Sequence, residues 1–175
     1  MKKKIFLDVI FGSKSDYTED IAVIIEEINQ MPDVCVTIYV ISCHRHPQIL
    51  REFADRYPER EGRWVICCGS MAFALPGVLK ACFNYLNKKI PVIGVALEGK
   101  GPADLEAAML SISCLPGKSV IMELDADPYV GAEGLRKACI YAINNPVPEM
   151  EIKDPPPFFI ALTPEKAREL FLEKK

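Results

Sequence analysis

Five short apolar runs alternate with five longer stretches whose apolar residues recur at helical spacing. That alternation of two periods constrains the fold more than any other feature of the chain. Ile5–Phe11 is an apolar run ending at Gly12; Ile21, Ile24, Ile25 and Ile28 then share one helical face, with Glu26 and Glu27 on the other. Val34–Ile41 is a second run, dense in the β-branched residues that favour strands. Pro47 suits the first position of a helix whose inner face is Ile49, Leu50, Phe53, Ala54 and Tyr57. Trp64–Cys68, Pro91–Ala96 and Ser119–Leu124 read as further strands. Pro76–Leu86, Ala103–Ser113 and Gly131–Asn144 read as helices, the last burying Leu135, Ala138, Cys139 and Ala142.

Strands that read as continuous apolar runs are covered on both faces, and helical crossovers make their sheet parallel. The expected fold is therefore α/β, a three-layer, doubly wound parallel sheet of the flavodoxin or Rossmann kind with five main strands. A chain of 175 residues suits one such unit, placed at residues 1–145. Residues 146–175 read as an arm, because Pro146, Pro148, Pro155, Pro156, Pro157 and Pro164 concentrate there and proline removes ladder donors. Pro164–Lys175 reads as a short amphipathic helix with Thr163 as its N-cap. Phe158, Phe159, Ile160 and Leu162 want cover, from a neighbouring subunit or from the chain's own domain.

Composition narrows the partners. A net charge of −3 and an isoelectric point near 5.5 argue against a nucleic-acid surface. No apolar run approaches the ~18 residues of a membrane span. Met1-Lys2-Lys3-Lys4 has the charge of a signal peptide, but Asp8 interrupts the apolar run and no small-residue cleavage site follows. The seven cysteines lie mostly in apolar runs, without a CxxC pair, and there are two histidines. The expectation is a reduced, cytoplasmic protein with buried thiols and no zinc site.

In a doubly wound sheet, ligands bind beyond the carboxyl ends of the strands. After the first strand, Gly12-Ser13-Lys14-Ser15-Asp16 offers a glycine turn and hydroxyl donors at a helix start, which suits a phosphate, with Asp16 placed to accept from sugar hydroxyls. An ordinary capping loop with Ser15 or Asp16 as N-cap is the alternative. After the second, Ser42-Cys43-His44-Arg45-His46-Pro47 holds both histidines beside an arginine. Arginine presents a fork of donors to a phosphate and histidine titrates near neutral pH; helix capping is the alternative. After the third, Gly69-Ser70-Met71-Ala72-Phe73-Ala74 is small and apolar, suited to the floor of a pocket beneath a flat ring. Leu97-Glu98-Gly99-Lys100-Gly101-Pro102 is a cover or a turn; Asp125 and Asp127 form a weak candidate metal pair, one of them more plausibly a helix cap.

Taken in order, Gly12–Asp16, Ser42–Pro47, Ala74-Leu75-Pro76-Gly77, Leu97-Glu98-Gly99 and Leu115-Pro116-Gly117 resemble the PurE family, over about Ile5 to Ile143. The resemblance implies an enzyme of purine synthesis that interconverts carboxylated aminoimidazole ribonucleotides, moving carboxylate from the exocyclic nitrogen to a ring carbon through carbon dioxide. It implies that Ser13, Ser15, Asp16, Ser42 and Arg45 hold the phosphoribosyl group and that His44 is the general acid/base. Gly69 and Ser70 join the substrate-binding set. It also implies a homo-octamer that uses no metal or organic cofactor. Arg45 resembles the mutase class, where the direct carboxylase class more often has lysine. The third loop departs from the family's glycine-rich pattern: Phe73 stands where alanine is usual and is expected to narrow the ring pocket. Glu98 replaces a usual serine. The rival readings are direct carboxylation of aminoimidazole ribonucleotide and a nucleotide- or sugar-phosphate-binding protein without this chemistry.

Overall fold

The computed structural model describes residues 4–115, 119–123, 127–148 and 162–172. Its strands are β1 (Ile5–Phe11), β2 (Val34–Val40), β3 (Arg63–Gly69), β4 (Val92–Ala96) and β5 (Tyr129–Val130). They form one sheet in the order β2-β1-β3-β4-β5, with every pairing parallel. The helices are α1 (Glu19–Asn29), α2 (Pro47–Arg56), α3 (Leu75–Tyr85), α4 (Asp104–Ser113), α5 (Gly131–Asn144) and α6 (Pro164–Leu172).

Period-two alternation along the strands divides the core between two faces. Leu7, Val9 and Phe11 of β1 pack with α1 (Ile21, Ile24, Ile25, Ile28) and α5 (Leu135, Ala138, Cys139, Ala142). On the opposite face, Ile10, Val65 and Cys67 meet Leu50 and Ala54 of α2, Leu79 and Phe83 of α3, and Ala108 and Ile112 of α4. The adjacent thiols of Cys67 and Cys68 therefore point to opposite layers, and burial pushes both well above the ordinary thiol range.

Three expectations need correcting. The fifth strand is not Ser119–Leu124. Ile121 makes one isolated parallel bridge to Ile93, and the next residue facing inward along β4, Val95, pairs with Tyr129. An unbroken ladder would have put Glu123 opposite Val95, inside the sheet. Instead Glu123 turns outward to Lys137 (3.0 Å), its N–H donates to the Asp127 carbonyl, and the chain returns at Tyr129. Second, β2 is an edge strand and only half covered, with Ile38 and Val40 exposed. Third, Ile49 is exposed on α2, whereas Leu50, Ala54 and Tyr57 are buried as expected. Pro116, Gly117, Asp125, the run Pro155–Ile160 and the last residues of the C-terminal helix assignment lie outside the described residues. At the start of α6, the Thr163 hydroxyl accepts from the Lys166 N–H at 3.5 Å.

α2 is held from both sides. Asp8, buried in β1, accepts from the Tyr57 hydroxyl at the end of α2 and pairs with the Arg63 guanidinium of β3 at 2.5 Å. Burial, together with the neighbouring Asp8 carboxylate, raises the Tyr57 phenol far above its usual range, so it remains a donor. The Lys88 ammonium caps the same helix end, donating to the carbonyls of Ala54, Asp55 and Tyr57.

Candidate functional site

From β1 the chain crosses to β2 on one side, and then to β3 on the other. The loops that leave β1 and β3 therefore part, and a crevice opens at the switch point. A cavity of about 340 Å³ lies there.

The first loop enters it as Gly12, Ser13, Ser15 and Asp16. The Ser13 hydroxyl accepts from the Ser15 N–H (3.4 Å) and lies 3.0 Å from the Ser15 hydroxyl, capping a 3₁₀ turn at Lys14–Asp16. Thr18, and neither Ser15 nor Asp16, occupies the N-cap position of α1. Asp16 is 7% exposed, and its Oδ1 accepts from the Ser70 hydroxyl at 3.0 Å. Burial raises its carboxyl above the ordinary range, while the Ser70 hydroxyl, backbone groups of Ser13 and Ser70, and the Arg45 charge pull it back only partly.

A carboxyl with a higher pKa folded than unfolded binds more protons in the folded state, so its ionisation subtracts stability as pH rises. Asp16→Asn is therefore expected to melt above the parent at neutral pH. The gap should close as pH falls toward 3.8, where the unfolded carboxyl also protonates. Thermal melts of the two proteins across pH check this; a gap that widens on acidification would contradict the assignment.

The second loop is wound tightly. Ser42, nearly buried, accepts from the Arg45 N–H on its hydroxyl (3.3 Å) and from the His46 N–H on its carbonyl (2.9 Å), which delivers Pro47 to the first position of α2. The exposed His44 ring places Nε2 3.2 Å from the Ala72 carbonyl, and the Arg45 guanidinium lies 3.5 Å from the Gly12 carbonyl. His46 occupies the N-cap position of α2 without a side-chain capping bond and is not part of the cavity wall. Cys43 does line the cavity, but burial raises its thiol, which makes it a poor nucleophile.

The third loop supplies Ser70 to Leu75. Phe73, 4% exposed, lies across two glycines: a β-carbon on Gly69 would stand 2.4 Å from its ring, and one on Gly12 3.3 Å. The bulky ring is thus folded against the floor of the crevice, where the absence of two side chains admits it.

Ser13, Ser15, Asp16, Ser42, His44, Arg45 and Ser70 are brought together around this one cavity; Gly69 is not on its wall, being the buried last residue of β3 beneath Phe73. Glu98 is exposed and does not line the cavity. Met71 and Ala72, which the sequence marks only as part of a small apolar loop, are wall residues too. The φ of +62° at Met71 has no signature in the residue itself. Among the described residues no group of three or more His, Cys, Asp or Glu side chains is placed to hold a metal ion, and no helix is long and apolar enough to cross a membrane.

Comparison with known proteins identifies the family and the fold. The sequence model of the family described as AIR carboxylase matches residues 7–154. The N5-carboxyaminoimidazole ribonucleotide mutase of Pyrococcus abyssi is 33% identical over 138 residues, covering 78% of this chain and 70% of that protein. The mutase of the same name from Vibrio cholerae is 32% identical over 143 residues, covering 79% and 81%. A crystal structure of a Treponema denticola PurE2 variant superposes with a TM-score of 0.50 at 17% identity, over 81% of this chain and 82% of that one, a likeness of fold. The family match begins in β1 and runs past α5, taking in all three loops that wall the crevice, so the chain belongs to the AIR carboxylase family.

Proposed function

We propose that this protein interconverts N5-carboxyaminoimidazole ribonucleotide and 4-carboxyaminoimidazole ribonucleotide, as a mutase of purine biosynthesis. The observation that carries the reading is the cavity in which the His44 imidazole stands over the same space as Ser13, Ser15, Asp16, Ser42, Arg45 and Ser70. Ser13, Ser15 and Arg45 supply donors for a phosphate, and the Asp16 carboxyl suits sugar hydroxyls. The names of the relatives above support the same substrate.

In this reading the nitrogen-bound carboxylate leaves as carbon dioxide and the exocyclic nitrogen takes up a proton. The ring carbon then attacks the retained carbon dioxide and gives up its own proton. His44 serves both transfers as acid and base. The apolar wall of Met71, Ala72, Phe73 and Ala74 excludes water while carbon dioxide is free. Residues of this chain account for each step without a metal or organic cofactor. A homo-octamer in the cytoplasm, with residues 1–145 as the catalytic unit and 146–175 as an arm, completes the proposal.

An absorbance assay tests it by offering the N5-carboxylated ribonucleotide alone, and the uncarboxylated ribonucleotide with bicarbonate. Turnover of the first is expected. Turnover confined to the second would make the protein a direct carboxylase, and turnover of neither would overturn the reading. Arg45→Ala is expected to weaken ribonucleotide binding by about 1.5–3 kcal/mol, the range for a hydrogen bond to a charged group, which is roughly ten- to hundredfold. Unchanged affinity in a calorimetric titration would remove Arg45 from the phosphate site.

A further inference from the structure

Three non-glycine residues among those described have positive φ: Asp33, Met71 and Asn87. Aspartate and asparagine tolerate the left-handed region, whereas a methionine there is held by its surroundings. At Met71, with φ +62°, the holding contact is visible: its N–H donates to the carbonyl of Asp104 at 3.2 Å. Asp104 is the first residue of α4 and is itself anchored, its Oδ2 accepting from the Gly101 N–H at 2.8 Å. The peptide that follows this turn carries the Ala72 carbonyl, which accepts from the Ala74 N–H (3.0 Å) and meets Nε2 of His44 at 3.2 Å.

We infer that Met71 is a positioning residue, whose left-handed turn, tied to the Asp104 carbonyl, presents the Ala72 carbonyl to His44 and so decides which imidazole nitrogen carries the fixed proton. A carbonyl oxygen only accepts, so the 3.2 Å contact is attractive when Nε2 bears hydrogen. Nδ1 is then the nitrogen that exchanges its proton. Residues Ser70 to Ala74 contain no titratable group to compete; the charged or titratable side chains on the same cavity wall, besides His44 itself, are Asp16, Cys43 and Arg45. The inference deepens the reading of His44 as acid and base, and rests on it only for the kinetic arm of the test.

The chain has two histidines, so long-range ¹H–¹⁵N spectra of the full-length protein resolve both, with His46→Gln supplying the assignment. With the imidazoles neutral, wild-type His44 is expected as the Nε2–H tautomer. Met71→Val places a β-branched residue at a φ it resists, and is expected to turn His44 into a mixture of tautomers, whereas Met71→Gly keeps the Nε2–H form. In the mutase assay Met71→Val is expected to lower kcat roughly tenfold while KM stays within about threefold, the split of a lost transition-state interaction. A wild-type His44 protonated mainly on Nδ1 overturns the inference, and that spectrum decides even if Met71→Val does not fold. An unchanged tautomer in a folded Met71→Val, or a rise in KM with kcat intact, overturns it as well. A wild-type protein inert toward the ribonucleotide, yet showing the Nε2–H form and its loss in Met71→Val, would fell the mutase reading and leave this one standing.

Discussion

His44→Asn is expected to abolish measurable turnover, a loss in the ~10²–10⁴-fold range of positioned general acid–base catalysis. Ribonucleotide affinity should stay within a few-fold. Asparagine is shorter, its amide reaching about where Nδ1 stands, so the contact of Nε2 with the Ala72 carbonyl is given up while a polar group stays on the cavity wall and no larger one enters it. What it lacks is a nitrogen that takes up and releases a proton. The substrate's phosphate and sugar contacts are assigned to other residues of the cavity, so binding and chemistry should separate. Single-turnover kinetics beside a calorimetric titration measures both. Turnover comparable to the parent would remove His44 from the mechanism, and loss of binding equal to loss of rate would make it a ligand of the substrate instead.

The largest effect on stability is expected from Asp8→Ala. Its carboxylate is 2% exposed and pairs with an Arg63 side chain that is 14% exposed. The Tyr57 hydroxyl, also buried, donates to the same oxygen. Removing the acceptor strands a nearly buried guanidinium and a phenol together, and breaking such a pair typically costs about 3–5 kcal/mol. Among the described residues the Arg63 Nε has no hydrogen-bond partner, so the cluster has little spare acceptance to absorb the loss. A urea unfolding curve should show the midpoint falling with little change in slope. Replacing Asp8 and Arg63 together by leucines should recover much of the deficit, because no unpaired charge is then left in the interior. A deficit below about 1 kcal/mol in Asp8→Ala would place the pair in the surface class of salt bridge.

This cluster also marks the limit of what the sequence discloses. Asp8 reads as an interruption in an apolar run; its partners Tyr57 and Arg63 lie 49 and 55 residues away, and no local pattern links them. By contrast, β1 and α5 occupy the segments that periodicity assigns, Ile5–Phe11 and Gly131–Asn144, because each presents a clean repeat ended by a turn residue. The fifth strand lies at Tyr129–Val130 and not in the apolar run before it for a physical reason. Val120 and Ile121 are apolar enough for a strand, but the charge on Glu123 would have faced the covered side of β4, and the chain leaves the sheet to avoid burying it. Six of the seven expected substrate-binding positions, and the expected acid/base, line one cavity because all follow strand ends in a fold whose order forces those ends together. Gly69 is the exception. Its role is to leave room, and room left for a ring four residues on is a tertiary fact.

That room has an evolutionary corollary. Positions 69 and 73 are interlocked: with the aromatic ring in place a methyl group at 69 has nowhere to go, and only after Phe73 shrinks does alanine at 69 become harmless. The two substitutions should therefore be strongly non-additive, with Gly69→Ala damaging alone and mild on a Phe73→Ala background. A lineage moving between the bulky and the small version of this loop has one passable order of steps, in which the ring is lost first.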